Sequence, residues 1–414
     1  MKCDEHVVVL GAGIIGVSCA LQLLREGYHV TLIDRSGVAQ GASKGNAGAF
    51  AFADIEPLAT PGIMRKAPKW LLDPLGPLSL PPRYFPKILP WLLRFWRASL
   101  PDRYGAAVAA QSAMMGFCQA ALERQIAQVD GEGMMQREGQ LQLFEGERQF
   151  RASMPAWELK RQHGIAFHLL SSPEAIAEIQ SGIDPRFTHA GFTPAWMNVC
   201  EPAKWAERIY SAAVALGARF IQDEMRQVAL QENGVQLVCA GQQVVADRVV
   251  VAGGAWSHHV ARMLGERIPL ETERGYNTTL PPGAFDVKTQ LTFGGHGFVV
   301  SRIGGGVRVG GAVELGGLDL PPNFQRSKVL LNKAKQFLPG LDCSQGQEWM
   351  GFRPSLPDSL PVIDYAKASK RVCYAFGHGH LGLTQSAGTA ELVADLVAQR
   401  PAKVSIDAFR ADRF

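Results

Sequence analysis

Gly11-Ala12-Gly13-Ile14-Ile15-Gly16 follows the apolar run Val7-Val8-Val9-Leu10 and opens a helical pattern that reads to about Arg25. A short apolar run without polar alternation is what a parallel strand buried on both faces looks like in sequence. Glycines at this spacing allow a tight turn, close backbone approach to a pyrophosphate, and close packing of the helix on the strand. The helix stops at Gly27, and His29 to Ile33 reads as a second strand ending in Asp34, whose carboxylate is placed to accept hydrogen bonds from an adenosine ribose. The interval from Gly16 to Asp34 matches the acidic residue expected about twenty positions on. Glycines alone are a weak signal, but strand, turn, helix, strand and acid in register predict an α/β dinucleotide-binding unit.

A second glycine turn, Gly377-His378-Gly379-His380-Leu381-Gly382, lies near the other end and leads into a helical pattern from Leu383 to Ala398. Two such turns predict one long cofactor held at its phosphates and again at its far end, which fits FAD better than NAD. The amides of Gly382, Leu383 and Thr384 would leave the helix N-terminus toward the reactive ring. There they would stabilise negative charge on reduced flavin by ~0.3 to 2 kcal/mol. His378 and His380 lack a nearby third ligand for a metal, so no metal is expected, and backbone contact with His380 near the ring is the better reading. Gly41 to Gly48 is small and polar, either a loop whose amides and Ser43 hydroxyl wrap the pyrophosphate or an ordinary turn cluster.

Composition sets outer limits. The 414 residues exceed a typical domain, which predicts two domains, and 47% hydrophobic with 19% charged residues is ordinary for a globular chain. A net charge of +4 without a basic run argues against nucleic acid. Seven scattered cysteines with no Cys-x-x-Cys spacing argue against zinc, iron-sulfur and disulfide frameworks and predict a reducing compartment. Asp4 and Glu5 stand where a signal peptide needs positive charge, and no run is long enough to span a bilayer, so a cytoplasmic location is expected. Prolines recur from Pro57 to Pro101, as in a meandering arm with short helical pieces. Within it, segment 84–100 sets Phe85, Ile88, Leu89, Trp91, Leu92, Leu93, Phe95 and Trp96 beside Lys87, Arg94 and Arg97. Such a segment either touches the inner face of the cytoplasmic membrane peripherally or lines a core or channel, and Pro86 and Pro90 are expected to keep its helix short.

The rest reads as helices at 106–126, 157–163, 173–180 and 203–216, and strands at 219–221, 225–231, 235–240 and 243–251. Antiparallel strands follow at 270–280 and 297–313. The expected architecture is a Rossmann-like FAD-binding domain (1–85, 195–265 and 345–414) with a second α+β substrate domain (86–194 and 266–344) built on an antiparallel sheet.

Further stretches carry a family resemblance: Asn46-Ala47-Gly48, Pro61-Gly62, Lys69-Trp70-Leu71, Ala252-Gly253-Gly254-Ala255-Trp256-Ser257, Glu273-Arg274-Gly275-Tyr276, and Gly351-Phe352-Arg353-Pro354 with Pro357-Asp358. With both glycine turns they make the chain resemble the D-amino-acid oxidase superfamily of flavoproteins, and within it the bacterial D-amino-acid dehydrogenases of small-subunit type. The resemblance implies noncovalent FAD, since Gly351 stands where sarcosine oxidase relatives tether flavin through a cysteine. It also implies cofactor contacts from Arg35, Asn46, Ala47, Gly48, Val228, Ala252, Gly253, Trp256, Gly379, His380 and Leu381, beside the turn, Asp34 and Ser43 already named.

The implied reaction is oxidation of a D-amino acid at its α-carbon, giving an imino acid that hydrolyses to a 2-oxo acid, with electrons passed to a quinone or other respiratory acceptor. Cyclic substrates such as D-proline or hydroxy-D-proline would give a cyclic imine. Arg353 is the implied fork for the substrate carboxylate, the alternative being a structural ion pair or a flavin contact. Tyr276 either shares that carboxylate or is a half-buried strand tyrosine. An oxygen-using D-amino-acid or glycine/sarcosine-type oxidase and a non-catalytic flavin-binding partner protein remain as other readings. Asp34 in place of the commoner glutamate, and Lys44-Gly45 within the loop, depart from the family pattern.

Overall fold

The opening run folds as strand β1 (His6–Leu10), helix α1 (Ile14–Arg25) and strand β2 (His29–Asp34) in a computed structural model that describes residues 4–65, 76 and 78–414. The Lys69-Trp70-Leu71 stretch lies outside the described residues. The sheet around β1 has the order Arg219–Gln222, β2, β1, Arg248–Val251, Ser369–Phe376, Val362–Ala366. All neighbours are parallel except the last pair, which is antiparallel. Val7, Val8 and Val9 are completely buried, because helices or a β-ribbon cover both faces of this sheet. Helix α1 packs on the terminal helix Gly382–Val397, which packs in turn on Pro101–Gln128.

The second sheet runs Gln347–Ser355, Glu271–Leu280, Gly306–Glu314, Phe298–Ile303, Gln290–Phe293, Gln140–Glu145, Phe187–Thr193, His168–Leu170. It is antiparallel apart from the parallel pairing of Gln290–Phe293 with Gln140–Glu145 and the short strand Leu78–Ser79 on Gly306–Glu314. The expected strand 297–313 is a hairpin folded at Gly304-Gly305, both with positive φ. Phe187, Phe293, Phe298 and Phe337 pack ring against ring in its core, with helix Gln325–Phe337 supplying the last of them.

Two expectations need correction. The stretch 243–251 is two strands in different sheets, Gln243–Ala246 in a ribbon with Met225–Gln231 and Gly234–Cys239, and Arg248–Val251 beside β1. Asp247 makes the change of sheet: its carboxylate accepts from the His6 amide at 2.7 Å, and its own amide donates to the His6 carbonyl at 2.9 Å. Two elements pack across the expected division between domains. Gln347–Ser355 pairs with Glu271–Leu280 in the second sheet, while Pro101–Gln128 buries Met114, Cys118 and Leu122 in the core that also holds Val7 and Val9. Finally, Phe85–Ala98 is one helix despite its prolines, with Pro86 in the first turn, where a missing amide costs nothing, and Pro90 inside it.

Candidate cofactor and substrate site

Between the two sheets lies a cavity of about 1050 Å³ that reaches from one glycine turn to the other. At its β1 end Gly11 has φ +104°, and a β-carbon there would stand 2.4 Å from the Ala252 carbonyl. Gly13, Ile14 and Ile15 face the cavity, with Ala252 and Gly253 beside them. Gly16 does not; it lies under the turn, where a β-carbon would meet the Gly11 carbonyl at 1.8 Å. Ser43 Oγ accepts from the Ile14 amide at 3.0 Å, which places that hydroxyl at the α1 N-terminus, where phosphate oxygens are stabilised.

Asp34 borders the cavity and fastens its own turn, accepting from the amides of Ala12 (2.9 Å), Ser36 (2.8 Å) and Gly37 (3.2 Å). Arg35 stacks over the Trp256 ring at 4.1 Å, a flat cationic wall at this end. Val228 packs instead among Val235, Leu237 and Val249, and the ribbon's cavity wall is Met225 and Arg226. In the loop, Asn46 and Ala47 face the cavity, while Gly48 sits behind them against Ile303 and the Val199 carbonyl. Arg308, which sequence reasoning missed, donates to the Asn46 carbonyl and to Thr279 Oγ1, and burial pulls its guanidinium down to about 10.

At the far end the two histidines part. His378 turns into the core and pairs with Thr389 Oγ1 at 3.0 Å, and burial pushes its imidazole down to about 3. His380 opens onto the cavity, with Nε2 3.9 Å from an Asp54 oxygen; desolvation holds it below its ordinary range against the pull of Asp54 and Glu273. Gly379, Gly382 and Leu383 line the cavity. Leu381 and Thr384 are buried, and Thr384 Oγ1 accepts from the Ala51 amide at 3.0 Å, tying the terminal helix to the chain beyond the loop.

Arg353 comes from the second sheet. It faces Glu273 across the pair of strands, leans over Gly275, and donates to the Ala312 carbonyl at 3.1 Å. Burial lowers its pKa and Glu273 opposes that shift. Tyr276 borders the cavity, and its phenol donates to Glu314 and accepts from the Asn323 amide at 3.0 Å, with the residue 1% exposed. Side chains alternate along a strand, so Glu273 and Gly275 share a face with Arg353 while Arg274 and Tyr276 take the other. That alternation would have singled out Glu273 once the strand was known to pair with Gln347–Ser355.

A parallel sheet with a phosphate-type glycine turn, closed by a second sheet that brings a guanidinium to the far end, defines a dinucleotide-dependent oxidoreductase. The comparisons make this specific. Residues 6–396 match the DAO family model, FAD dependent oxidoreductase, and the chain belongs to that family. It is 33% identical to a D-amino-acid oxidase of Bradyrhizobium diazoefficiens over 100% of both chains. It is 34% identical to a D-amino acid dehydrogenase of Sinorhizobium medicae over 97% of each. Among solved structures it is similar to glycine oxidase from Geobacillus kaustophilus (19% identity, TM-score 0.79, covering 99% of this chain and 100% of that one). L-proline dehydrogenase from P. horikoshii is another (18% identity, TM-score 0.76, covering 100% and 98%). FAD fits the groups present: open glycine backbone and the α1 N-terminus for pyrophosphate, Asp34 and Arg35 at the adenosine end, and Gly382 and Leu383 at the reactive end.

Proposed function

We propose that the protein oxidises D-amino acids at the α-carbon with noncovalent FAD and passes the electrons to a membrane quinone. The observation that carries this reading is Arg353: a guanidinium enclosed by protein at the cavity wall, whose side chain donates, among the described residues, only to Ala312. A guanidinium offers several N–H donors in a rigid fork, so Arg353 retains a bidentate face for a substrate carboxylate. FAD held between the two glycine turns would supply the two-electron acceptor for the α-hydrogen. The chain's own work is to orient the substrate through Arg353, to enclose the reacting centre between the sheets, and to direct the Gly382 and Leu383 amides at negative charge on the ring. No cysteine borders the cavity among the described residues, which supports a noncovalent cofactor. The names of the relatives support the D-amino-acid class and an acceptor other than oxygen in the dehydrogenases.

The acceptor reading draws on helix Phe85–Ala98. Ile88 and Trp91 are buried against Leu315, whereas Phe85, Leu89, Leu93 and Trp96 are exposed in one stripe beside Lys87, Arg94 and Arg97. An exposed apolar stripe with a basic flank fits peripheral contact with an anionic membrane face. No helix among the described residues is long and apolar enough to cross a membrane.

The test is anaerobic bleaching of the flavin by a panel of D- and L-amino acids, linear and cyclic. Bleaching by D-enantiomers is expected; reduction by L-enantiomers alone, or by none, would remove the proposal. The oxidase name of one relative favours a second reading, direct transfer to oxygen. Fast reoxidation by oxygen with peroxide release, and slow reoxidation by quinone, would establish it instead.

A further inference from the structure

Glu273 lies directly across from Arg353 in the paired strands, so the two side chains leave the same face of the sheet. The residue is 5% exposed, it borders the cavity, and among the described residues no hydrogen bond or ion pair reaches its carboxylate. A carboxylate so enclosed is costly unless a donor or cation meets it. Arg353 does not close on it, because the guanidinium leans over Gly275 toward the Ala312 carbonyl. The other groups that bear on this corner are His380 of the terminal turn and, beyond it, Asp54 from the segment that follows Ala49–Phe50. The cavity thus holds a cationic and an anionic group side by side with no hydrogen bond joining them among the described residues, which is complementary to the two charges of an amino acid.

We propose that Glu273 seats the substrate's nitrogen and takes its proton, an inference that rests on the amino-acid reading above. With the substrate carboxylate on Arg353, the ammonium, or the ring ammonium of a cyclic substrate, lies against Glu273. The N–H bond breaks with its electron pair left on nitrogen, and an O–H bond forms on Glu273. The neutral amine is then oxidised: the α-hydrogen leaves with its bonding pair to FAD, which is reduced by two electrons, and the nitrogen lone pair forms the C=N bond. Glu273 returns its proton to water when product leaves. Without a proton acceptor at this place the cation must first deprotonate in bulk water, since a positively charged nitrogen has no lone pair to give.

The experiment uses the FAD-loaded enzyme and its Glu273→Gln and Glu273→Asp variants, each checked for flavin content and thermal unfolding. In the wild type, kcat/KM is expected to stay level as pH falls below the pKa of the substrate's amino group. In Glu273→Gln it should fall about tenfold per pH unit there, and Glu273→Asp should restore the level profile. Calorimetry supplies a readout independent of turnover. 2-Aminoisobutyrate, which has no α-hydrogen, should lose at least about tenfold in affinity on Glu273→Gln, a loss of ~1.4 kcal/mol, whereas isobutyrate, which lacks the nitrogen, should not weaken. Parallel pH profiles, or equal weakening of both ligands, would overturn the role and leave Glu273 as a counter-charge for Arg353. If the wild type binds neither ligand and no amino acid bleaches its flavin, the amino-acid reading falls and this role falls with it.

Discussion

Arg353 lies across the bare α-carbon of Gly275, where an added β-carbon would stand 2.3 Å from its Nη2. The fork and the gap that receives it are on neighbouring strands. Arg353→Ala should keep FAD and lose ~2 to 5 kcal/mol of substrate binding, which is roughly thirty-fold to several-thousand-fold in kcat/KM. Gly275→Ala should lower kcat/KM as well, with all atoms of the fork still present but displaced. Flavin absorbance with steady-state kinetics checks both; unchanged efficiency in Arg353→Ala would sink the fork.

Tyr276→Phe should behave as a stability variant. The phenol bridges Glu314 and the Asn323 amide on the far face from Arg353, so its loss should cost ~1 to 3 kcal/mol in denaturant unfolding. KM for the amino acid should not change. A large rise in KM at unaltered stability would return Tyr276 to the substrate.

The first turn separates two kinds of glycine. A β-carbon at Gly13 would meet only Ser43 Oγ, at 3.3 Å, whereas one at Gly16 would meet the Gly11 carbonyl at 1.8 Å. Gly13→Ala should therefore fold with an unaltered apoprotein melting temperature and bind FAD weakly. Gly16→Ala should melt lower even without cofactor. Equal melting temperatures for the two apoproteins would contradict this division.

His258 Nδ1 donates to the Ala255 carbonyl, at 2.9 Å, in the turn beside Trp256. Burial, and then the neighbouring His259, push its imidazole from an ordinary 6.5 to about 4. Between those values the unfolded chain binds the extra proton and the folded one does not, so this contribution to stability is complete above pH 6.5 and is lost as pH falls toward 4. His258→Asn should flatten the decline of melting temperature over that interval. An identical decline in the variant would show that His258 carries none of it.

Replacing Leu93 and Trp96 together by glutamate should abolish sedimentation with anionic vesicles while leaving thermal unfolding unchanged, because both side chains are exposed. Wild-type protein that ignores such vesicles would remove the membrane reading.

The sequence announced the cofactor end more completely than the substrate end, for a physical reason. Turn, helix and acid are local in the chain, so α1 was read to the residue and the terminal helix to within one. Arg353 and Glu273 meet through a strand pairing that spans some eighty positions, and no periodicity reveals a register. The same gap explains Tyr276, since one step along a strand exchanges faces. The break at Asp247 is hidden in the sequence because Val244-Val245 and Val249-Val250-Val251 on either side are alike, and only the partner His6 distinguishes them. The helix through Pro90 was underestimated because the packing of Ile88 and Trp91 on Leu315 outweighs a missing amide.

The strand order of the parallel sheet also imposes a timetable on synthesis. β1 is made well before one of its two neighbours, which begins at Arg248, and before the strand beyond that, which begins at Ser369. Until most of the chain has left the ribosome, β1 has β2 alone to pair with, and its valines have no second neighbour to cover them. A nascent chain halted before Arg248 would present that edge to solvent or to a chaperone, and a crossing of two such chains would be a ready route to misassembly.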